Sequence, residues 1–286
     1  MASLNPESDI SAFVNSIFEQ AILVARDNNV MSGLVRVFND RTGLAVRSNQ
    51  QYGGATMNSI AETDDLVGQA FTPSAIATLT PAEVGAQYFL TDSRIESDPF
   101  SVRNDAAQDL GQAVATKIET SLLSDFYGDL TGGTVGTTAS ILTWPYVLAM
   151  QAQLRNQLAP LPYSFVCSPY QWYQLTKAAS LAGSASNAPT TMLETFKDNP
   201  FYVGTNYGIN FFVSGNVETS SNDSYTGMFS RDAIALDIRR PPRLEVERDA
   251  SRRGWELNMS CVFAHGVWRP LFGIAGIFLN TAPTGV

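Results

Sequence analysis

The sequence predicts a mixed α+β chain of unequal parts, and three observations carry that expectation. One uninterrupted helical pattern runs over 98–127. Strand and helix signals then alternate from 130 onward, as they do where helices cover a mixed sheet. Two extended runs finally meet at the charged turn Asp249-Ala250-Ser251-Arg252-Arg253-Gly254, spaced for a long two-stranded ribbon.

Taken in order, residues 8–26 place Ile10, Phe13, Val14, Ile17, Phe18, Ala21 and Ile22 at helical spacing behind a Ser8 or Asp9 cap. That apolar stripe is expected to pack on the body of the same chain. Residues 33–47 alternate apolar and polar side chains on both sides of Asn39-Asp40-Arg41-Thr42-Gly43, which predicts a hairpin. The following stretch, from Ser48 to Gln69, is polar and short of large apolar groups, so it builds no core of its own. Flanked by strand signals, it reads as an arm completed by another molecule.

The helix over 98–127 starts at Asp98 with Pro99 in its first position, and Gly128 stops it. Thirty residues would span about 45 Å, well beyond an ordinary globular helix. Its apolar side holds Ala106, Leu110, Ala113, Val114, Ile118, Leu122 and Phe126; Arg103, Asp109, Lys117 and Glu119 are assigned to the opposite side. After the link 131–139, a helix is expected from about 144, a buried strand at YSFVCS, and a helix from Pro169. A polar loop over 182–191 and strands at 209–214 and 232–238 follow, and the apolar strand GIAGIFLN closes the chain.

Composition narrows the function. Of the 286 residues, 44% are hydrophobic and only 16% charged, so Ser, Thr, Asn and Gln must supply much of the surface. Such a surface costs little to desolvate and suits a protein that buries itself against its own copies. The 18 basic residues stand against 27 acidic ones, a net charge of −9, and the lysines are Lys117, Lys177 and Lys197 alone. Neutralising phosphates requires clustered Lys and Arg, so sequence-specific nucleic-acid binding is not expected. Cys167 and Cys261 lie in separate apolar runs and read as free, buried thiols. No basic-then-apolar leader is visible, and Leu271–Leu279 is too short for a bilayer of ~30 Å. Synthesis in a cytoplasm, with no membrane partner, is the expectation.

Catalytic patterns are missing from the sequence. A single histidine, His265, excludes two-histidine metal sites, and it lies in the strand-like FAHGVW, which favours a structural or interfacial role. TGGTVGTT has the glycines of a phosphate loop without its Gly-Lys-Ser/Thr ending. Asp64-Asp65 reads as a solvated turn. No metal and no cofactor is expected. Arg239, Arg240, Arg243, Arg248, Arg252 and Arg253 are interleaved with Asp237, Glu245, Glu247 and Asp249, a pattern of ion pairs within or between chains.

Two stretches resemble a known family. LTPAEVGAQYFLTDSRIESDP (79–99) leads directly into the long helix, and 228–277 sets a "DA" strand before a ribbon with a charged tip, then "RP" and a last apolar strand. Both are similar to the major capsid proteins of tailed bacteriophages, the Hong Kong 97-type capsid fold. The resemblance implies an N-terminal arm over 1–32 and an extended β-loop over 33–92. It implies a peripheral domain with a long spine helix over 93–129 and 234–267, and an α/β axial domain over 130–233 and 268–286.

Function follows as an expectation from the same resemblance: subunits that self-assemble into hexameric and pentameric capsomers of an icosahedral shell around packaged double-stranded DNA, assembled in the host bacterial cytoplasm. Portal, scaffolding and decoration or cement proteins are the further candidate partners. Some members weld subunits through a lysine in the extended loop. No lysine precedes Lys117 here, so a non-covalent shell is expected. No long charged helical prefix precedes Asn5, so a separate scaffold, or none, is expected. Candidate subunit contacts are Arg36, Arg41 and Arg47 on the loop, Glu62, Asp64 and Asp65 after it, and Asp249, Arg252, Arg253 and Trp255 at the ribbon tip. The competing readings are an encapsulin-type bacterial compartment, which keeps the fold and changes the cargo, and an α/β enzyme or binding protein, which needs a pocket of convergent titratable groups.

Overall fold

The computed structural model describes residues 30–52, 73–97, 99–126, 128–181 and 202–283, with isolated positions between 57 and 70. The helix expected at 8–26, the loop at 182–191, the cap Asp98 and the contact candidate Asp64 lie outside the described residues, as does the side chain of Arg103. The elements begin with α1 (Met31–Leu34), β1 (Arg36–Phe38), β2 (Arg47–Tyr52), β3 (Pro73–Leu79) and β4 (Ala82–Thr91). Next come α2 (Asp92–Ser97), α3 (Pro99–Ser124), β5 (Thr134–Val135), α4 (Trp144–Asn156), β6 (Tyr163–Cys167) and α5 (Pro169–Leu181). The rest are β7 (Tyr202–Asn206), β8 (Ile209–Val213), β9 (Thr219–Ser220), β10 (Asp223–Ser230), β11 (Ile234–Asp249), β12 (Gly254–Val267) and β13 (Gly273–Leu279).

The long strands β11 and β12 pair antiparallel around the 249–254 turn. They are not a bare ribbon: β4 pairs antiparallel with β12 from Phe263↔Ala82 to Gly254↔Thr91, and β1 lies parallel to β11. The sheet order is β1-β11-β12-β4. The hairpin expected around Asn39–Gly43 does not form, because β1 pairs with β11 and β2 pairs instead with β3. The competing attraction is long-range. Arg47 at the start of β2 donates Nε–H to Asp237 of β11 at 2.7 Å and lies over the ring of Phe38, the β1 residue paired with Asp237, at 4.3 Å, so a side chain ties β2 to this sheet where no backbone pairing does.

The spine α3 crosses one face of this sheet. Pro99 stands at its first position as expected, but the helix ends at Ser124, and Gly128 follows four residues later with φ +85°, a left-handed conformation that favours glycine. Ala106, Leu110, Val114, Leu122 and Phe126 are buried as the stripe requires, with Leu236, Leu257, Met259, Cys261 and Phe263 in the same cluster. Ala113 is exposed, and Ala115 is buried in its place. Glu119, assigned to the solvent side, is buried at 1% exposure.

The second sheet runs β5-β13-β10-β6-β8-β7, with β9 on β10. It is mixed: β6 and β8 are parallel, whereas β10 is antiparallel to both β6 and β13. Its own core holds Val147, Met150 and Leu154 of α4 against Phe165, Phe211, Met228, Ile274 and Phe278. Gln171 of α5 is fully buried, and its amide donates to the carbonyls of Ser224 and Phe278 at 2.9 and 3.1 Å, fastening that helix to two strands. No helix among the described residues is long and apolar enough to cross a membrane.

Candidate functional site

Two charged clusters stand near opposite ends of β11. The twelve residue steps from Asp237 to Asp249 separate them by about 40 Å at the usual strand rise.

At the tip, Asp249 organises the turn. Its Oδ1 accepts from the Ser251 hydroxyl at 2.6 Å and from the backbone N–H groups of Ser251 and Arg252 at 2.9 and 3.1 Å. Hydrogen bonding from Ser251 holds the Asp249 carboxyl below its ordinary pKa. Arg253 takes φ +49° and its carbonyl accepts from the Asp92 N–H at 3.0 Å. Arg252 lies over the Phe89 ring at 4.3 Å and reaches Glu256 at 3.4 Å. Arg248 donates both Nη groups to Asp92 at 2.5 and 2.8 Å while stacking over Trp255 at 5.0 Å. That bidentate pair lowers the Asp92 pKa. The tip is therefore a rigid, ion-paired knob whose outermost cations are Arg252 and Arg253, both exposed.

The base of the extended loop holds the other candidates, with different fates. Arg36 pairs with Asp232 at 3.2 Å, and Arg41 lies 4.0 Å from Asp40; both remain half-exposed and free to meet another molecule. Arg47 does not remain available. It is 8% exposed, and its guanidinium is shared between Asp40 and the fully buried Asp237. The contact role assigned to Arg47 is corrected to an internal one, because β2 brings it over the sheet instead of along the edge. Glu62 and Asp65 are exposed.

Two acid sites escaped notice in the sequence. Glu119 accepts the Met31 N–H at 2.9 Å and the Ser214 hydroxyl at 3.2 Å, so one carboxylate joins α3 to α1 and to the end of β8. Burial raises its pKa, partly offset by these hydrogen bonds. Asp125, just past α3, meets His265 Nδ1 at 3.1 Å. Burial raises the Asp125 pKa too, and the histidine opposes it. The first pairs residues 88 apart and the second residues 140 apart, so neither leaves a local signature.

Nothing described resembles a reaction centre. No group of three or more His, Cys, Asp or Glu among the described residues is placed to hold a metal. Both cysteines are free and buried, and burial pushes the Cys167 thiol far up, away from nucleophilic thiolate. A shallow cleft of about 490 Å³ between β4 and α3 is lined by Tyr88, Leu90, Val102 and Ala106, with Arg94, Asp105 and Asp109 as its charged groups. It offers no nucleophile beside a base.

Comparison with known proteins points one way. The profile of the phage capsid protein family matches residues 75–275. No curated protein matches the sequence. Among solved structures, the capsid of the cyanophage P-SCSP1u is similar at TM-score 0.67 and 14% identity, over 88% of this chain and 89% of that one. Mycobacterium phage Che8 is similar at TM-score 0.67 and 16% identity, over 87% and 90%. A virus-like particle from Pyrococcus furiosus is similar at TM-score 0.57 and 8% identity, over 91% and 97%.

Proposed function

The chain belongs to the phage capsid protein family, and from that premise we propose that its copies close into hexamers and pentamers of an icosahedral shell around double-stranded DNA. It is a major capsid protein of the Hong Kong 97-type fold, a virion component whose copies assemble with one another. The finer assignments are our reading. Residues 1–32 form the N-terminal arm and 33–92 the extended loop. Residues 93–129 with 234–267 form the peripheral domain, and 130–233 with 268–286 the axial domain. Assembly takes place in the host bacterial cytoplasm. Portal, scaffolding and decoration proteins join it, and the protein catalyses nothing.

The observation that carries this reading is the rigid spine lying across a sheet whose outer strand, β4, continues from the extended loop. A loop anchored by ten paired residues at its return can reach over a neighbour without losing its own footing. Purified subunits should form icosahedral particles or capsomer rings under the electron microscope. A chain that stays monomeric across pH, salt and crowding conditions would refute the proposal.

Two further outcomes are expected. The shell is held without covalent links, so boiled particles should run as a single band at the 31.0 kDa of the chain; a ladder of multiples would show welding. At the ribbon tip, Arg252→Glu with Arg253→Glu should impair assembly and leave the subunit folded, since both side chains are exposed. Normal assembly of that double variant would exclude the tip as a contact.

A second reading has one observation behind it, the likeness to the virus-like particle. An encapsulin-type shell would enclose a protein cargo. Particles from the native source that lack nucleic-acid absorbance would favour it.

A further inference from the structure

Two left-handed backbone positions carry large side chains that gain almost no packing within the chain. Helix α4 ends in a Schellman motif: Leu158 N–H donates to the Arg155 carbonyl and Ala159 N–H to the Leu154 carbonyl, both at 3.1 Å. The left-handed residue of such a motif is usually glycine, yet here it is Leu158, φ +56°. Strands β7 and β8 are joined by the two-residue turn Tyr207-Gly208, φ +52° and +77°, between the paired Asn206 and Ile209. Asn or Gly is the usual first residue of that turn. A Cβ in this conformation is strained. Leu158 is nevertheless 85% exposed and Tyr207 63%, the Tyr207 ring meeting Trp144 edge-on at 6.2 Å.

Both positions stand at one end of the second sheet. Leu158 precedes β6, Tyr207 precedes β8, and these parallel neighbours start in register at Tyr163↔Ile209. The Tyr163 hydroxyl donates to the Ala159 carbonyl at 3.0 Å, and Gln151 donates to the Tyr207 carbonyl at 2.8 Å, so both loops are held firmly. Leu161, 63% exposed, lies between two exposed prolines in the same connection. Residues 156–163 and 206–209 contain no charge.

We propose that Leu158, Leu161 and Tyr207 form the apolar centre of a contact with a second copy of this chain, a proposal that rests on the shell reading above. Strained conformations persist where the presented side chain serves something beyond the fold. Charge selects the occupant. Copies of net charge −9 repel one another, and these two loops, which hold no acidic residue and follow the exposed Arg155, are where two can approach with the least repulsion. Nucleic acid would require cations that the two loops lack. Rigid apolar side chains, already ordered before contact, are what a binding hot spot needs.

The test uses Leu158→Gly with Tyr207→Gly in the full chain, since glycine relieves the backbone at both sites. The dissociated subunit should melt at the wild-type temperature or a few degrees above it, while the critical concentration for assembly rises roughly ten-fold. Leu161→Gln, at a position whose φ is not in the left-handed range, should weaken assembly in the same direction with melting unchanged. Assembly at the wild-type critical concentration in these variants overturns the proposal. So does a marked fall in melting temperature, which would mean the side chains hold the subunit's own fold. A failure of the shell reading shows elsewhere: the wild-type protein itself would form no particles, and this proposal would fall with it.

Discussion

Replacing Asp237 by alanine is expected to lower the stability of the dissociated subunit by about 3–5 kcal/mol, the usual result of breaking a buried ion pair from one side. Asp237 is fully buried, and its Oδ2 serves two guanidinium groups: Arg47 Nε at 2.7 Å and Arg239 Nη2 at 2.8 Å. Arg239 is itself 4% exposed. Its Nη2 faces Oδ2 closely but out of hydrogen-bond alignment, and its Nε and Nη1 meet no acceptor. The cluster is thus only half satisfied, and its one buried anion holds two buried cations. Without the carboxylate, Arg47 keeps Asp40, but Arg239 keeps no ion-pair partner among the described residues. Asp237→Asn should be nearly as damaging, because shape is restored and charge is not. Replacing Asp237 and Arg239 together with leucine and methionine should recover most of the loss, since well-packed apolar groups often equal or exceed a buried pair. Urea unfolding of the unassembled subunit measures all three. A loss below about 1 kcal/mol for the alanine variant would show that water reaches the cluster.

Features written in neighbouring residues were legible in the sequence. Pro99 and Gly128 bracket the spine, and the Asp249–Gly254 turn lies between two alternating runs, so helix and ribbon could be placed before any coordinates. β10, the strand on which β6, β9 and β13 all pair, was not. Its sequence, DSYTGMFS, contains Asp and Gly, which are depleted in strands. The glycine is explained only by a distant neighbour: a Cβ on Gly227 would come within 2.9 Å of the Phe126 ring. The pairing of β4 with β12 spans more than 160 residues and leaves no local trace. The contact candidates divided on the same principle. Asp249, Arg252, Arg253 and Trp255 were grouped by a single turn, and the structure brings them together. Arg47 was grouped with Arg36 and Arg41 by proximity in sequence, while its partner Asp237 lies 190 residues away.

Glu119 supplies the second large effect, and two substitutions should separate its charge from its hydrogen bonds. Glu119→Ala leaves the Met31 N–H and the Ser214 hydroxyl without their acceptor in a buried site, at about 1–3 kcal/mol for each donor stranded there. Glu119→Gln keeps an acceptor for Met31 and removes the charge, so at neutral pH it should be close to neutral or stabilising. Their pH dependence follows from the direction of the shift. Burial raises the Glu119 pKa, so between the ordinary carboxylate range and the raised value the folded chain binds a proton that the unfolded chain has released. Stability contributed by this group is fully present below the unfolded pKa and is lost as pH rises through the folded one. The stability of wild type relative to Glu119→Gln should therefore fall from acidic toward neutral pH. Asp125 is shifted the same way but is common to both proteins and cancels in the difference. Unfolding of dissociated subunits across that range provides the measurement, and a gap independent of pH would mean that Glu119 keeps its charge throughout. Because the carboxylate grips Met31, where residues 1–29 join the described body, Glu119→Ala should also speed proteolytic removal of that segment. Glu119→Gln should not. Equal cleavage of both variants would show that the first 29 residues are held by contacts of their own.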